Sequence, residues 1–219
     1  MPAGLTGLRP PCRRGERRRS VWLVRPQQLD RRCVIVTGGG GGGGPAPPLF
    51  AAAGRAGLSA LKREGDGATP VGRFRPIALL TRADRLPLRC AALPHRALRD
   101  GDGWSDDPRE ARYNRFVRLP RGSSHETLIR DDPLYDFLVV LDHNQRPRVR
   151  GRGSAVFVHV ARPGLTPTAG CLAFDRRDWQ RRQLHTTFPE VLLVGCDPRP
   201  LRSSRPARAS GARSAPRRR

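Results

Sequence analysis

Lysine is almost missing from this chain: of 42 basic residues only Lys62 is not arginine. Aromatic residues are scarce at 5%, so there is little for nucleic-acid bases to stack on, and sequence-specific nucleic-acid binding is not expected. No apolar run approaches the roughly 20 residues that a membrane-spanning helix needs. The N-terminal region carries charge but no apolar core of a signal peptide, because Val21-Trp22-Leu23-Val24 is short and runs into Arg25-Pro26. No C-x-x-C and no Cys/His cluster with zinc spacing occurs, so no metal site is expected. The glycine run 38–44 lacks a following Gly-Lys-Ser/Thr and leads into Pro45-Ala46-Pro47-Pro48. That argues for a flexible hairpin tip or linker rather than a phosphate cradle.

What is present in excess is positive charge, +23 over 219 residues. Arg, Ala, Gly and Pro share GC-rich codons, so part of this bias reads as genomic. Residues 1–20 carry six Arg against Glu16, and residues 197–219 carry eight Arg against Asp197. Both are expected to be disordered basic tails making non-specific contact with polyanions. Between them, residues 21–196 suit one domain with a flexible Gly/Pro loop at 38–48, and a monomer is expected. Five cysteines stand at 12, 33, 90, 171 and 196, and their spacing favours no disulfide.

The domain reads as many short β-branched runs separated by turn signals. Val21–Val24 and Cys33–Thr37 form a first hairpin, and Leu49–Ala53 follows. Arg73–Leu80, Leu134–Leu141, Ala155–His159, Leu172–Phe174 and Val191–Val194 read as further strands. Asp175 is a good N-cap for one short helix over 176–184. Residues 99–112 read as a polar, turn-rich insertion, with Trp104 capping a groove; its aspartates lack the spacing of a calcium loop. The pattern predicts a mainly β fold, a sandwich or barrel with one or two short helices.

Chemistry concentrates at one point. The run Ala155-Val156-Phe157-Val158 delivers His159, a Pro/Gly-rich loop turns the chain, and Gly170-Cys171 follows twelve residues after the histidine. A thiol becomes a good nucleophile when a neighbouring imidazole can take its proton. A lone cysteine is also a common small core residue, and that reading stands beside the catalytic one.

Three segments resemble the L,D-transpeptidase catalytic domain (YkuD-like) family: Glu64-Gly65-Asp66-Gly67-Ala68-Thr69-Pro70-Val71-Gly72-Arg73-Phe74, Gly153–His159, and Thr168-Ala169-Gly170-Cys171-Leu172. The family commonly has a histidine where Ala169 stands and Arg or Asn where Ala173 stands, so the chain looks like a divergent branch. The resemblance implies a β-sandwich or barrel-like transpeptidase fold without cofactors. It implies Cys171 as nucleophile forming a thioester with peptidoglycan stem peptides, His159 as proton acceptor and donor, and the backbone N–H groups of Gly170 and Cys171 as an oxyanion hole. Thr69, Pro70, Tyr135, Arg162 and Thr168 are then expected to contact substrate, Arg162 through a carboxylate. A cell-envelope or periplasmic location follows from the resemblance. Because no signal peptide is visible, a different start, another export route or cytoplasmic action stays open. A hydrolase on the same scaffold, and a degenerate module that binds wall peptides or polyanions, are the alternatives.

Overall fold

The computed structural model describes residues 5–12, 20–27, 30, 32–38 and 47–195. The glycine run beyond Gly38, Cys196 and the arginine-rich tail 197–219 lie outside them. The strands are β1 (Val21–Pro26), β2 (Cys33–Thr37), β3 (Leu49–Ala52), β4 (Leu58–Ser59), β5 (Thr69–Pro70), β6 (Gly72–Phe74), β7 (Pro76–Thr81) and β8 (His95–Ala97). They continue with β9 (Asp102–Ser105), β10 (Arg115–Arg118), β11 (His125–Thr127), β12 (Phe137–Leu141), β13 (Phe157–Val160), β14 (Leu172–Phe174) and β15 (Val191–Val194). Two short helices, α1 (Arg176–Arg181) and α2 (Leu184–Thr187), precede β15. The fold is mainly β, as the turn-punctuated sequence implies.

Among the described residues, ten strands form one curled sheet in the order β6-β15-β1-β2-β3-β14-β13-β12-β7-β8. Alternation along its central strands feeds two cores. From β12, Phe137, Val139 and Leu141 join Val158, Val160, Trp22, Val34 and Trp179 on one face. Leu138 and Val140 join Phe157, Leu80, Trp104 and Leu128 on the other. This is the period-2 rule of a strand buried on both sides. The second face is covered by a small sheet, β10-β9-β11, so β13 is a wall between two cores. That placement aims Phe157 and His159 toward the small sheet, and Val158 and Val160 away from it.

Several local expectations are corrected. The run 73–80 is two strands, because Arg75 turns outward and exchanges backbone bonds with Asp142: its N–H donates to the carboxylate at 2.8 Å, and the Asp142 N–H donates to its carbonyl at 3.0 Å. Leu134 and Tyr135 belong to a 3-10 turn over Pro133–Tyr135, N-capped by Asp132, and the strand starts at Phe137. The helix over 176–184 is capped by Asp175 as expected, but Gln183 adopts φ 49° and splits it into two. Trp104 is no groove cap. It lies on β9, fully buried, donating from Nε1 to Asn114 at 2.9 Å with its ring edge-on to Phe157 at 5.2 Å.

Two expectations about the N-terminal region also change. Residues 5–12, read as part of a disordered lead, lie along β8. The Arg9 N–H donates to His95 at 2.7 Å, the His95 N–H returns a bond at 3.0 Å, and Leu5 is buried in the core under the small sheet. This path brings Cys12 to Cys90, and the two are joined in a disulfide with Cα atoms 5.7 Å apart. A separation of 78 residues gives no sequence signal for such a pair, which is why the spacing favoured none. Among the described residues the free thiols are those of Cys33 and Cys171.

Candidate active site

The turn at 153–155 sets the position of the Cys171 thiol. Gly153 has φ +90° and Ala155 φ 50°, a left-handed conformation unusual for a residue with a Cβ. Two hydrogen bonds, each braced from behind, hold Ala155 and Ser154 there. The Ala155 N–H donates to Asn114 Oδ1 at 3.2 Å, the same oxygen that accepts from Trp104. Asn114 Nδ2 donates onward to the carbonyls of His143 and Asn144 at 3.1 and 3.0 Å. Ser154 Oγ donates to Glu64 at 2.8 Å, and Tyr113 donates to the same carboxylate oxygen. The Ala155 carbonyl thereby points at the sulfur: Cys171 Sγ donates to it at 3.2 Å and accepts from the Phe157 N–H at 3.4 Å.

The loop before Cys171 is fixed with equal care. Thr168 is stitched to the segment that follows β3, its N–H donating to Ala53 at 2.8 Å and its carbonyl accepting from Arg55 at 2.8 Å. Its hydroxyl donates to the Cys171 carbonyl at 2.7 Å and accepts the Gly170 N–H at 3.1 Å. Thr69 Oγ1 accepts from the Gly54 N–H at 2.8 Å and donates to the same Cys171 carbonyl at 3.3 Å. Gly170 sits at φ +142°, where a Cβ would lie 2.9 Å from the Ala68 carbonyl oxygen, so only glycine fits.

His159 stands two residues beyond Phe157 on the same face of β13. Its Nδ1 lies 2.8 Å from the Val160 carbonyl. A carbonyl can only accept, so Nδ1 carries the proton and Nε2 keeps its lone pair. Tyr135 packs edge-on against the imidazole at 5.5 Å, donates to Glu126 at 2.8 Å and carries the Arg130 guanidinium over its ring at 5.3 Å.

His159, Cys171, Gly170, Thr168, Tyr135 and Arg162 all line one cavity of about 340 Å³. Thr69 and Pro70 are buried on β5 and do not line it; Thr69 reaches the Cys171 loop from behind through its hydroxyl. The Gly170 N–H, expected in an oxyanion hole, is already bonded to Thr168. The cavity also takes in Lys62, Glu64, Asp106, Glu126 and Arg130, which the sequence reading did not assign to the site. Glu64 lies in a segment that carries the family resemblance, and its pairing with Tyr113 and Ser154 emerges only in the fold. The remaining histidines stand apart. His143 bonds through Nε2 to the Arg152 carbonyl at 3.0 Å. No cluster of metal-ligating side chains occurs among the described residues.

Electrostatics hold the thiol and imidazole uncharged at rest. Burial pushes the Cys171 thiol up to about 12, against the Phe157 N–H, which favours the thiolate. Burial holds the His159 imidazole down at about 4, opposed by the Val160 carbonyl and reinforced by Arg162 and Arg130. The second shift has a consequence for stability. The unfolded histidine binds a proton below about pH 6.5 and the folded one does not until about 4. The stabilising contribution is therefore complete above 6.5 and disappears as pH falls through 4, on the order of 3 kcal/mol in all. Melting temperature is expected to fall more steeply from pH 7.5 to 4.5 in the wild type than in His159→Gln, where His143 and His185 still titrate; parallel curves would refute this.

None of the curated proteins compared matches the sequence. A solved structure, that of Bdellovibrio bacteriovorus Bd1075, aligns with 81% of this chain and 48% of its own length, at 13% identity and a TM-score of 0.42. The chain thus spans about half of that protein. Among the described residues, no helix is long and apolar enough to cross a membrane. Residues 15–181, which hold the 153–155 turn, the His159 strand and the Cys171 loop, match the family of L,D-transpeptidase catalytic domains (YkuD), and the chain belongs to that family.

Proposed function

We propose that this protein is a cysteine L,D-transpeptidase that acts on peptidoglycan stem peptides in the cell envelope, with Cys171 as nucleophile and His159 as general base. The observation that carries the reading is that Cys171 and His159 line the same cavity. Sγ attacks a peptide carbonyl while its proton moves to His159 Nε2, and the tetrahedral intermediate collapses as the imidazolium returns that proton to the departing amine. This leaves a thioester. An acceptor amine then attacks it, gives a proton to His159 and restores the thiol; water in the same place makes the reaction a hydrolysis. The Nδ1–H bond to Val160 holds the ring through both halves. The lining mixes Arg130 and Arg162 with Glu64, Asp106 and Glu126, which suits peptides that carry both carboxylates and ammonium groups.

Incubation of the protein with purified muropeptides, followed by mass spectrometry, tests this. The expected result is a thioester adduct on the peptide containing Cys171, with a cross-linked product or a released terminal residue. Release without cross-linking identifies a hydrolase. A folded wild type that gives neither adduct nor product, while still retaining muropeptides on a column, would make the protein a binding module.

A further inference from the structure

Lys62, the chain's one lysine, lies in the cavity only 7% exposed. A buried ammonium is costly to desolvate and persists where its donors are used. Of its three N–H donors, one goes to Asp66 and one to the Arg63 carbonyl at 2.9 Å. Asp66 is itself fixed, accepting from the Ala68 N–H at 2.9 Å and the Arg63 N–H at 2.7 Å, so the ammonium is held by a rigid loop. The third donor is left for the cavity. Two glycines clear its path: a Cβ at Gly153 would lie 2.9 Å from Lys62 Cγ and 3.0 Å from Cε, and one at Gly170 would lie 3.5 Å from Nζ. Nζ therefore sits beside the residue that precedes the nucleophile. The other lining cations are placed differently, since Arg130 is engaged by Asp132 and Glu126 and Arg162 is exposed at the rim.

We propose that Lys62 is a catalytic residue whose ammonium donates a hydrogen bond to the oxygen that becomes negative when Sγ adds to an acyl carbonyl. The proposal rests on the transferase reading above. It answers the engagement of the Gly170 N–H by Thr168, which removes one backbone donor from that task. No proton or electron pair leaves Lys62 in this step, and the bond strengthens as charge collects on the oxygen.

Two reactions of the same thiol separate this role from others. Acylation of Cys171 by p-nitrophenyl acetate passes through a tetrahedral oxyanion, whereas alkylation by iodoacetamide does not. Both are followed at Cys171 by mass spectrometry, with Cys171→Ala as background. Lys62→Met, which keeps an unbranched stem, is expected to lower acylation roughly 10²–10³-fold with alkylation little changed. Lys62→Arg should restore part of the acylation, and Lys62→Gln, a neutral donor, should fall between; these two also serve if the Met variant does not fold. Equal losses in both reactions, or undiminished acylation in folded Met and Gln variants, would overturn the proposal while leaving the transferase reading intact. A wild type that p-nitrophenyl acetate fails to acylate would sink both.

Discussion

Cys171→Ala is expected to abolish the acyl-enzyme and to lower acyl transfer on the order of 10⁴-fold or more, with His159→Ala losing about 10²–10⁴-fold. The double variant should be no worse than Cys171→Ala, because the pair acts as a unit. The geometry adds a sharper expectation about pH. At rest the S–H points to the Ala155 carbonyl at 3.2 Å, and thiol and imidazole are both neutral. Attack then requires the thiol to swing from Ala155 to His159 and to lose its proton as the bond to carbon forms. The competent state, neutral on both residues, spans the interval between the imidazole near 4 and the thiol near 12. Single-turnover acylation should therefore be level through neutrality and decline only as the imidazole is protonated near pH 4. A thiolate–imidazolium pair would instead show alkylation of Cys171 persisting well below neutrality, and that profile would refute the resting state described here.

The sequence exposes what local chemistry dictates. The apolar and β-branched runs around Phe137–Leu141 and Phe157–Val160 and the turn residues between runs give the strands, and Asp175 gives the start of α1. It conceals what depends on distant pairing. β9 reads as a polar loop because Asp102 and Ser105 flank Gly103 and Trp104, yet Asp102 is buried against two arginines and Ser105 is fully buried on the central strand of the small sheet. The Cys12–Cys90 bond and the packing of Leu5 arise from a segment whose neighbours are mostly charged.

The site divides in the same way. His159, Gly170 and Cys171 are legible because a strand, a loop and a glycine are adjacent in the chain. Asn114 is not, although it joins Trp104, Ala155, His143 and Asn144 and so fixes the turn that faces the sulfur. Its buried amide uses donors and acceptor alike, which shows only when four segments meet. Thr69 is legible only in part. Its segment is visible as a motif, but the bonds of its hydroxyl to Gly54 and the Cys171 carbonyl, which place it behind the Cys171 loop and outside the cavity lining, come from distant segments.

The largest stability loss is expected from Asp102→Ala. This carboxylate is 1% exposed on β9, is ion-paired with Arg96 at 2.8 Å, and accepts from Arg118 and from the Arg99 N–H at 3.0 Å. Arg118 is well exposed and its share is small, but Arg96 is only 8% exposed. Removing Asp102 leaves that guanidinium buried without its countercharge, held by the Ala97 carbonyl at 2.7 Å and the Phe116 ring at 5.0 Å. Breaking a buried pair by deleting one partner costs about 3–5 kcal/mol. For a domain of this size that lowers the melting temperature by roughly 6–20 °C. Replacing both partners together, Asp102→Leu with Arg96→Met, should recover much of the loss, since the penalty belongs to the orphaned charge and not to the missing contact. Calorimetry on the two single variants and the double variant decides it: additive losses in the cycle would show that Asp102 matters through packing alone. Trp104 lies two residues along β9 and packs on Phe157, whose N–H touches Sγ, while its own bond to Asn114 does not pass through Asp102. Below its transition the Asp102→Ala protein should therefore acylate Cys171 at the wild-type rate, which separates the fold's electrostatic support from the chemistry it supports.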